Sequence, residues 1–174
     1  WLAPHFEKML YDNGSLIDVL RLVWQETRSP LYEARIRESI GWLLREMVAE
    51  GGGFAASLDA DSEGAEGVFY VWSEVDIDRL LGAEASHFKD VYDVSASGNW
   101  EGTNILNRLA HLPLGDPGNE ARLTACRATL LDHRRGRERP GWDDKVLADW
   151  NGLAIRALAL AGRTFDEDTW ITAA

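Results

Sequence analysis

Two stretches of the sequence are apolar on nearly every face when they are read as helices, and they constrain the fold more than any other feature. They cover residues 13–27 and 146–163. The apolar side chains of the first stretch are Leu16, Ile17, Val19, Leu20, Leu22, Val23 and Trp24. The second stretch contains only a few polar interruptions, among them Asp149 and Arg156. A helix of this kind is expected to be covered on most of its sides.

Two further stretches, residues 30–49 and about 118–135, are amphipathic instead. The apolar stripe of residues 30–49, at helical spacing, consists of Tyr32, Ile36, Ile40, Leu43, Leu44 and Met47. A simple bundle would give one such stripe to every helix. The alternation of buried and amphipathic helices therefore predicts a mainly α fold. We expect a two-layered ring of helical hairpins, in which the inner helices contact both the lumen and the outer layer.

One short β element is predicted between these helices. The runs 54–58 (FAASL) and 68–72 (VFYVW) are expected to pair as a β-hairpin. The carboxylates of its tip are Asp59, Asp61, Glu63 and Glu66. The tip matches only the first half of an EF-hand loop, because Tyr70 stands where a bidentate Glu is needed and the flanks are not helical. We therefore expect no metal site.

Four polar motifs lie where the inner helices begin or in the loops beside them. They are residues 4–13 (PHFEKMLYDN), 58–72 (LDADSEGAEGVFYVW), 98–106 (GNWEGTNIL) and 141–153 (GWDDKVLADWNGL). Each motif combines aromatic rings with carboxylate, amide or imidazole groups. Aromatic faces stack on sugar rings, and carboxylates and amides hydrogen-bond hydroxyl groups, so the mixture favours a polyol-binding site. The alternative is that the aromatic residues pack in the core and the carboxylates cap helices.

Together the four motifs resemble the YyaL/spermatogenesis-associated protein 20 family, and they occur in family order. In that family a thioredoxin-like domain precedes a toroid of helical hairpins, which is similar to N-acylglucosamine 2-epimerases and six-hairpin glycosidases. The resemblance implies that residues 1–174 are a fragment of an (α/α)6 toroid, without the thioredoxin-like domain and the later hairpins. It also implies that the acidic loop forms the rim or wall of a cavity. No cofactor is expected.

Two catalytic routes fit a sugar-active domain, as an isomerase or as a hydrolase. An epimerase moves a proton beside a carbonyl group and needs a base and an acid, for which His5 is the histidine inside a motif. A glycosidase needs two carboxylates that flank the scissile bond. The candidate catalytic groups are His5, Asp61 and Asp144. The candidate substrate-binding groups are Asp59, Trp100, Glu101, Asn104, Asp143, Lys145, Trp150 and Asn151.

A non-catalytic role is the alternative. The chain would then be a helical scaffold or interaction domain that partners a thioredoxin-like redox domain. In a sugar site, His5, Asp61 and Asp144 would converge round open space. In a scaffold, the same groups would be paired in salt bridges and helix caps.

Composition and charge exclude several other classes. The net charge of −11 disfavours nonspecific binding to nucleic acid or to an anionic membrane. The basic run at residues 133–139 is interpreted as a helix C-terminus, where cations suit the helix dipole. Cys126 is the single cysteine, so an intrachain disulfide is excluded. No apolar run approaches the length of a membrane span and no signal peptide opens the chain, so we expect a cytoplasmic protein.

The first residue is Trp1, and we interpret the chain as an excerpt of a longer protein. The two inner helices carry more apolar surface than a partial ring can cover. We therefore expect the chain to self-associate, so that one partial ring covers another. The residues expected at the contact are Leu20, Trp24, Leu153 and Leu160.

Overall fold

Helices make up most of the regular structure of residues 4–174, the part of the chain that the computed structural model describes. The helices are α1 (Leu10–Thr27), α2 (Pro30–Glu46), α3 (Glu74–Leu81), α4 (Ala85–Tyr92), α5 (Pro117–Arg134), α6 (Ala148–Phe165) and α7 (Asp168–Ala173). The strands are β1 (Lys8–Met9), β2 (Ser57–Leu58), β3 (Asp61–Ser62), β4 (Ala65–Glu66) and β5 (Trp142–Asp143). The predicted mainly α class with few strands is confirmed.

The described chain divides into two units. Unit 1 comprises residues 4–6 and Ala60–Pro140, and it contains α3, α4, α5, β3 and β4. Unit 2 comprises Glu7–Asp59 and Gly141–Ala174, and it contains the remaining helices and strands named above. The predicted inner helices, α1 and α6, therefore belong to the same unit. The closed ring of hairpins stays a prediction.

In unit 2, α1 and α6 lie side by side and run in the same direction. Near their starts, Gly14 lies against the backbone of Leu153 and Ala154. Near their ends, the rings of Trp24 and Phe165 lie with their centroids 4.6 Å apart. In a ring of helical hairpins, all inner helices run in the same direction. The predicted ring therefore requires neighbouring inner helices to be parallel, as α1 and α6 are.

A Gly14→Ala substitution is expected to destabilise unit 2 by about 1–3 kcal/mol, because the added methyl group overpacks the α1–α6 contact. The new Cβ would lie 3.2 Å from the backbone N of Ala154 and 3.3 Å from its Cα, and backbone atoms cannot rotate away. Gly152→Ala is the matched control, because nothing lies within 4 Å of a Cβ at that helical position. Alanine favours the helix there by up to about 1 kcal/mol. Urea unfolding of both variants checks the pair, and equal effects would contradict the close approach.

The predicted stripe of α2 is confirmed by the core of unit 2. Ile36, Ile40, Leu43 and Met47 are fully buried. They pack with Ile17 of α1 and with the buried alanine and leucine side chains of α6. The period of the apolar residues thus identified the buried face correctly.

The prediction that α1 is covered on most of its sides is wrong within the described residues. Leu16, Val19 and Leu22 are 50%, 54% and 50% exposed, and they follow one another along one face of the helix. Leu153 of α6 is also exposed, whereas Trp24 packs partly against the core. Self-association through these helices stays a prediction, which light scattering on a sample of verified mass would check.

The small sheet of unit 2 joins distant parts of the sequence. Its strand order is β1-β2-β5, and both pairs are antiparallel. Leu58 lies between Lys8 and Trp142 in one row across the sheet. Ser57 lies between Met9 and Asp143 in the next row.

The predicted pairing of residues 54–58 with 68–72 is wrong. The segment 54–58 instead supplies β2 to the sheet of unit 2. The acidic tip forms its own hairpin in unit 1, in which Asp61 pairs with Glu66. Glu63 and Gly64 link the strands with φ values of 55° and 81°. Two consecutive residues in the left-handed region are the signature of a type I′ turn, which matches the twist of a two-residue hairpin.

The run 68–72 begins as a turn in place of a strand, because the amides of Tyr70 and Val71 donate to the carbonyl of Gly67, and an arginine binds the carbonyl groups of the run. Nη1 of Arg137 donates to the carbonyl oxygens of Phe69 at 3.0 Å and Val71 at 2.8 Å, with a longer contact to Val68 at 3.4 Å. The guanidinium carbon also lies 4.0 Å from the ring centroid of Trp72. Burial lowers the pKa of Arg137 from its ordinary value, against the opposing effect of nearby carboxylates. This partly buried cation binds carbonyl groups that the sequence pattern assigned to a partner strand.

The helices of unit 1 enclose a second core. Its buried members include Trp72, Phe88, Leu123, Cys126 and Leu130. Burial raises the pKa of the Cys126 thiol, as expected of a small core residue. The basic run does begin at a helix C-terminus, because α5 ends at Arg134. Among the described helices, none is both long enough and apolar enough to span a membrane.

Candidate functional site

Three polar motifs meet at the sheet of unit 2. Residues 4–13 supply β1, the start of the acidic motif supplies Leu58 to β2, and residues 141–153 supply β5. Backbone hydrogen bonds extend the contact, since the N–H of Asp59 donates to the carbonyl of Gly141 at 2.8 Å. The amide of Ala56 likewise donates to the carbonyl of Asp143 at 3.0 Å. Local backbone pairing therefore gathers side chains that are far apart in the sequence.

We call Trp142, Asp143, Asp144, Lys145 and Asp59 the Trp142 surface. The indole of Trp142 is 47% exposed. Beside it, Nζ of Lys145 forms an ion pair with Oδ2 of Asp143 at 3.1 Å, and Oδ1 accepts from the Lys145 amide at 3.3 Å. Asp59 and Asp144 are exposed at the ends of β2 and β5. The carboxylates and the ammonium group thus lie close to Trp142 along the backbone, although Asp143, its neighbour in the strand, projects from the opposite face of the sheet.

Trp150 and Asn151 lie in the first turn of α6, a few residues after Lys145 in the sequence. The ring of Trp150 meets Tyr11 edge-on, with centroids 4.8 Å apart. Oδ1 of Asn151 accepts from the Phe54 amide at 2.8 Å. Nδ2 of Asn151 donates to the carbonyls of Phe54 and Leu147, each at 3.0 Å. Because these bonds use both amide hydrogens of a buried side chain, the structure gives Asn151 a positioning role in the fold.

A buried ion-pair network on α1 and α6 escaped the sequence analysis. Asp18 and Arg21 are less than a tenth exposed. Nε and Nη2 of Arg21 donate to Oδ1 of Asp18 at 3.1 and 2.7 Å, and Arg156 of α6 donates to Oδ2. Burial by itself would raise the pKa of Asp18, but Arg21 and Arg156 outweigh it and hold the pKa below its ordinary value. The i,i+3 spacing of Asp18 and Arg21 was the available signal.

The lowered pKa of Asp18 predicts a defined pH dependence of stability. A carboxylate with a depressed folded-state pKa stabilises the fold above its unfolded pKa of about 3.9, and this stabilisation is lost as the pH falls through the folded value. Asp18→Asn is therefore expected to cost about 3 kcal/mol near neutral pH, where a buried pair is broken, and progressively less in acid. Urea unfolding between about pH 3 and pH 7 measures the difference.

Glu26→Gln provides the control for that series, because Glu26 is an exposed carboxylate on the same helix. Its substitution is expected to change the unfolding free energy by less than about 0.5 kcal/mol at any pH. An Asp18→Asn penalty that stays constant down to about pH 3 would show that the charge of Asp18 does not stabilise the fold.

In unit 1, a second group of predicted site residues borders an aromatic cluster round Phe6. The Phe6 ring stacks on Tyr70 at 5.9 Å and meets Trp100 at 5.1 Å between centroids. It also lies so close to Gly67 that a Cβ there would come within 2.7 Å of the ring. His5 is the exposed neighbour of Phe6 in the chain. Three motifs thus meet here through their aromatic residues.

The acidic groups of unit 1 lie on exposed turns. Asp61 is exposed at the first position of β3, opposite Glu66. Glu101 is exposed and adopts a φ of 48° in a turn closed by the pairing of Trp100 with Thr103. Both carboxylates are therefore accessible to solutes. Among the paired residues of the β3–β4 hairpin, the carboxylates are Asp61 and Glu66.

Asn104 supports the fold of unit 1, as Asn151 does in unit 2. It is only 1% exposed. Its Oδ1 accepts from the Ser95 amide at 3.0 Å, and its Nδ2 donates to the carbonyls of Ser95 and Trp72 at 3.0 and 3.2 Å. These contacts hold the loop 95–104 against the end of the VFYVW run. The amide of Asn104 is therefore committed to the loop backbone.

The candidate residues fall into two sets. Unit 1 holds His5, Asp61, Trp100, Glu101 and Asn104. Unit 2 holds Asp59, Asp143, Asp144, Lys145, Trp150 and Asn151. The convergence of all three catalytic candidates in one cavity stays a prediction. Across residues 4–174, no group of three or more His, Cys, Asp or Glu side chains has the geometry to hold a metal ion.

Comparison with known proteins gives a consistent set of relatives. The chain is 28% identical to spermatogenesis-associated protein 20 of Homo sapiens over an alignment 204 positions long, which covers 98% of this chain and 26% of the relative. The protein of the same name from Mus musculus is 29% identical over 195 residues, covering 93% of this chain and 25% of the relative. An uncharacterised protein of Caenorhabditis elegans is 27% identical, covering 98% of this chain and 28% of the relative.

The chain spans about a quarter of the length of the curated relatives that it matches. No protein-family model matches it. The similarity nevertheless extends through both units, because it includes almost every residue. The resemblance predicted from the four motifs is therefore confirmed: over nearly its whole length, this chain is homologous to spermatogenesis-associated protein 20.

Proposed function

We propose that the chain forms part of a carbohydrate-active domain that binds a sugar and acts as a sugar epimerase or a glycosidase. The observation that carries the proposal is the Trp142 surface. Its indole is exposed over nearly half of its area, and Asp143 beside it is oriented by the ion pair with Lys145. Three carboxylates and an ammonium group lie within a few residues of Trp142 on or next to β2 and β5, and Trp142 is not a member of the core.

The chemistry of this surface suits a sugar. One face of a pyranose ring carries C–H groups that stack on an indole, and its edge carries hydroxyl groups. Carboxylates accept hydrogen bonds from those hydroxyls, and an ammonium group donates to their oxygens. An aromatic residue with an apolar body and a wet edge is typical of such contacts. In this proposal Trp142 supplies the stacking face, and Asp144, two residues further along the chain, supplies a directional hydrogen bond.

Catalysis would require groups beyond the stacking face. In the epimerase route, His5 is the base that removes a proton beside a carbonyl group. In the glycosidase route, Asp144 and Asp59, which both belong to unit 2, form the pair of carboxylates. Asp143 is less suited to proton transfer because both of its carboxylate oxygens already contact Lys145. Its Oδ2 pairs with Nζ of Lys145, and its Oδ1 accepts from the backbone N–H of Lys145. Asp143 and Lys145 therefore act as positioning residues in this proposal.

The proposal is tested on the full-length protein with a glycan and monosaccharide binding screen, followed by turnover assays. We expect saturable binding of at least one saccharide and turnover of that saccharide or a glycoside of it. His5→Ala is expected to remove epimerisation, and Asp144→Asn is expected to remove glycoside hydrolysis, with the fold intact by circular dichroism. Turnover that survives both substitutions would refute these catalytic assignments, and absence of any saccharide binding would refute the proposed function.

A helical scaffold that partners a thioredoxin-like domain is the second candidate. The observation that favours it is the internal commitment of several predicted site groups. Asn104 and Asn151 bind backbone groups, and Asp143 is paired with Lys145. If the screen finds no saccharide, a pull-down of the thioredoxin-like region by the helical region, expressed as separate chains, would test this role. Failure of the two chains to associate would exclude it.

A further inference from the structure

A cavity of about 280 Å³ lies in unit 2 between β1, the first turns of α1 and the middle of α2. The residues that line it are Lys8, Asn13, Arg35, Glu38, Ser39 and Trp42. None of them belongs to the Trp142 surface, and none was a candidate site residue in the sequence analysis. The cavity therefore requires an explanation of its own.

The lining of this cavity is positively charged in a strongly acidic chain. Lys8 and Arg35 contribute two cations, and Glu38 contributes one carboxylate. The chain as a whole carries a net charge of −11. A concave site whose net charge is opposite to that of the whole chain attracts anions and raises their local concentration.

The guanidinium of Arg35 is only partly satisfied. Its Nη1 donates to Oε2 of Glu38 at 2.7 Å. Its Nε is buried, and no acceptor among the described residues lies within hydrogen-bond distance of it. A buried donor without an acceptor destabilises the state in which it occurs. The side chain is about one-third exposed, so a rotation of the guanidinium can present its Nε edge to the cavity.

The remaining lining residues define the rest of the ligand. The indole of Trp42 is half-buried and packs against the core of unit 2, which fixes its orientation. Asn13 is anchored by a hydrogen bond of 2.8 Å from its Nδ2 to the carbonyl of Met9. Ser39 adds a hydroxyl group one turn from Arg35. A fixed aromatic wall beside cations and neutral polar groups fits a small molecule that has both a ring and an oxyanion.

We propose that this cavity binds a small oxyanion-bearing molecule, a carboxylate or a phosphate monoester, whose oxyanion lies at Lys8 and Arg35. The guanidinium turns its Nε edge to the oxyanion and binds it through two parallel N–H groups, the geometry that carboxylates and phosphates share. The carbon skeleton of the ligand lies against Trp42. This proposal does not depend on saccharide binding at the Trp142 surface.

The test is calorimetric titration of the full-length protein with glucose 6-phosphate, glucuronate, inorganic phosphate and glucose. We expect one of the anionic ligands to bind with a Kd below about 1 mM. Arg35→Gln is expected to weaken that binding at least tenfold, and raising the salt concentration is expected to weaken it further. Preference for glucose 6-phosphate or phosphate assigns a phosphate site, and preference for glucuronate assigns a carboxylate site.

Arg45→Gln is the matched control, because Arg45 lies on the same helix, pairs with Glu46 and does not line the cavity. It is expected to leave anion binding unchanged, as is Trp142→Ala. Lys8→Gln replaces Arg35→Gln if the latter fails to fold. Anion affinities that are equal in the wild type and in the two cavity variants would overturn the proposal. It would also be overturned if none of the three anions showed saturable binding. Loss of saccharide binding alone would leave it standing.

Discussion

Replacing Arg137 with alanine is expected to lower the free energy of unfolding of unit 1 by about 3 kcal/mol. The substitution removes the donor of the Phe69 and Val71 carbonyls and the cation above the Trp72 ring. Hydrogen bonds to a charged donor contribute about 1.5–3 kcal/mol each, and the carbonyls have no partner strand to replace it. Urea unfolding followed by circular dichroism measures the loss.

Two controls separate this role from simple charge. Arg137→Lys keeps the charge but loses the planar guanidinium, so it is expected to recover less than half of the lost stability. Arg135→Ala removes a cation from the same basic run whose ion pair with Asp132, at 3.3 Å, is largely exposed. It is expected to change stability by less than about 0.5 kcal/mol. An Arg137→Ala protein as stable as Arg135→Ala would contradict the role assigned to the guanidinium.

The second large effect is expected from Asn151→Asp, which preserves shape and replaces the two amide hydrogens with an oxygen. That oxygen would face the carbonyls of Phe54 and Leu147, which now accept from Nδ2. A buried carboxylate beside two carbonyl oxygens is expected to destabilise unit 2 by about 3 kcal/mol near neutral pH. Burial beside carbonyl oxygens raises the folded-state pKa of this carboxyl group above its unfolded value of about 3.9, so the penalty should shrink as the pH falls toward about 4, where the group is protonated and can donate.

Gln25→Glu is the matched control for that substitution. It makes the same amide-to-acid change on α1, where the side-chain oxygen of Gln25 accepts from Arg21 at 2.7 Å. Because a carboxylate there faces a cation, the change is expected to be neutral or slightly stabilising. Equal destabilisation by the two substitutions would show that the bonds of Asn151 to the backbone of Phe54 do not hold the segment 54–58 in place.

Local patterns predicted the helices well because a helix is specified by residues close together in the sequence. The stripe Ile36, Ile40 and Leu43 repeats at helical spacing, and each of these residues is fully buried. The exposed stripe of α1 could not be predicted in the same way. Apolar composition shows that a helix can be covered, but the face left open depends on which elements surround it in three dimensions.

The failed hairpin shows the limit of local reasoning about strands. The run 68–72 has strand-like composition, yet its carbonyl groups accept from Arg137, which lies 66–69 residues later in the chain. The segment 54–58 is likewise fixed by Asn151, which is 97 residues from Phe54. Neither contact leaves a periodic signal. The motifs indicated where polar residues are concentrated, but long-range pairing decides which of them face solvent and which support the backbone.

Titration of the full-length protein with the strongest saccharide of the screen is the most direct test of saccharide binding at the Trp142 surface. Trp142→Ala is expected to weaken binding at least tenfold, because a ring stacked on an aromatic side chain contributes about 1–3 kcal/mol where this has been measured for nucleobases, and we expect the same order for a sugar ring. Trp142→Phe, which keeps an aromatic face, is expected to retain most of the affinity. Ile155→Ala, which removes an exposed apolar side chain from α6, is expected to leave it unchanged. Equal affinities for the wild type and Trp142→Ala would contradict saccharide binding at this surface.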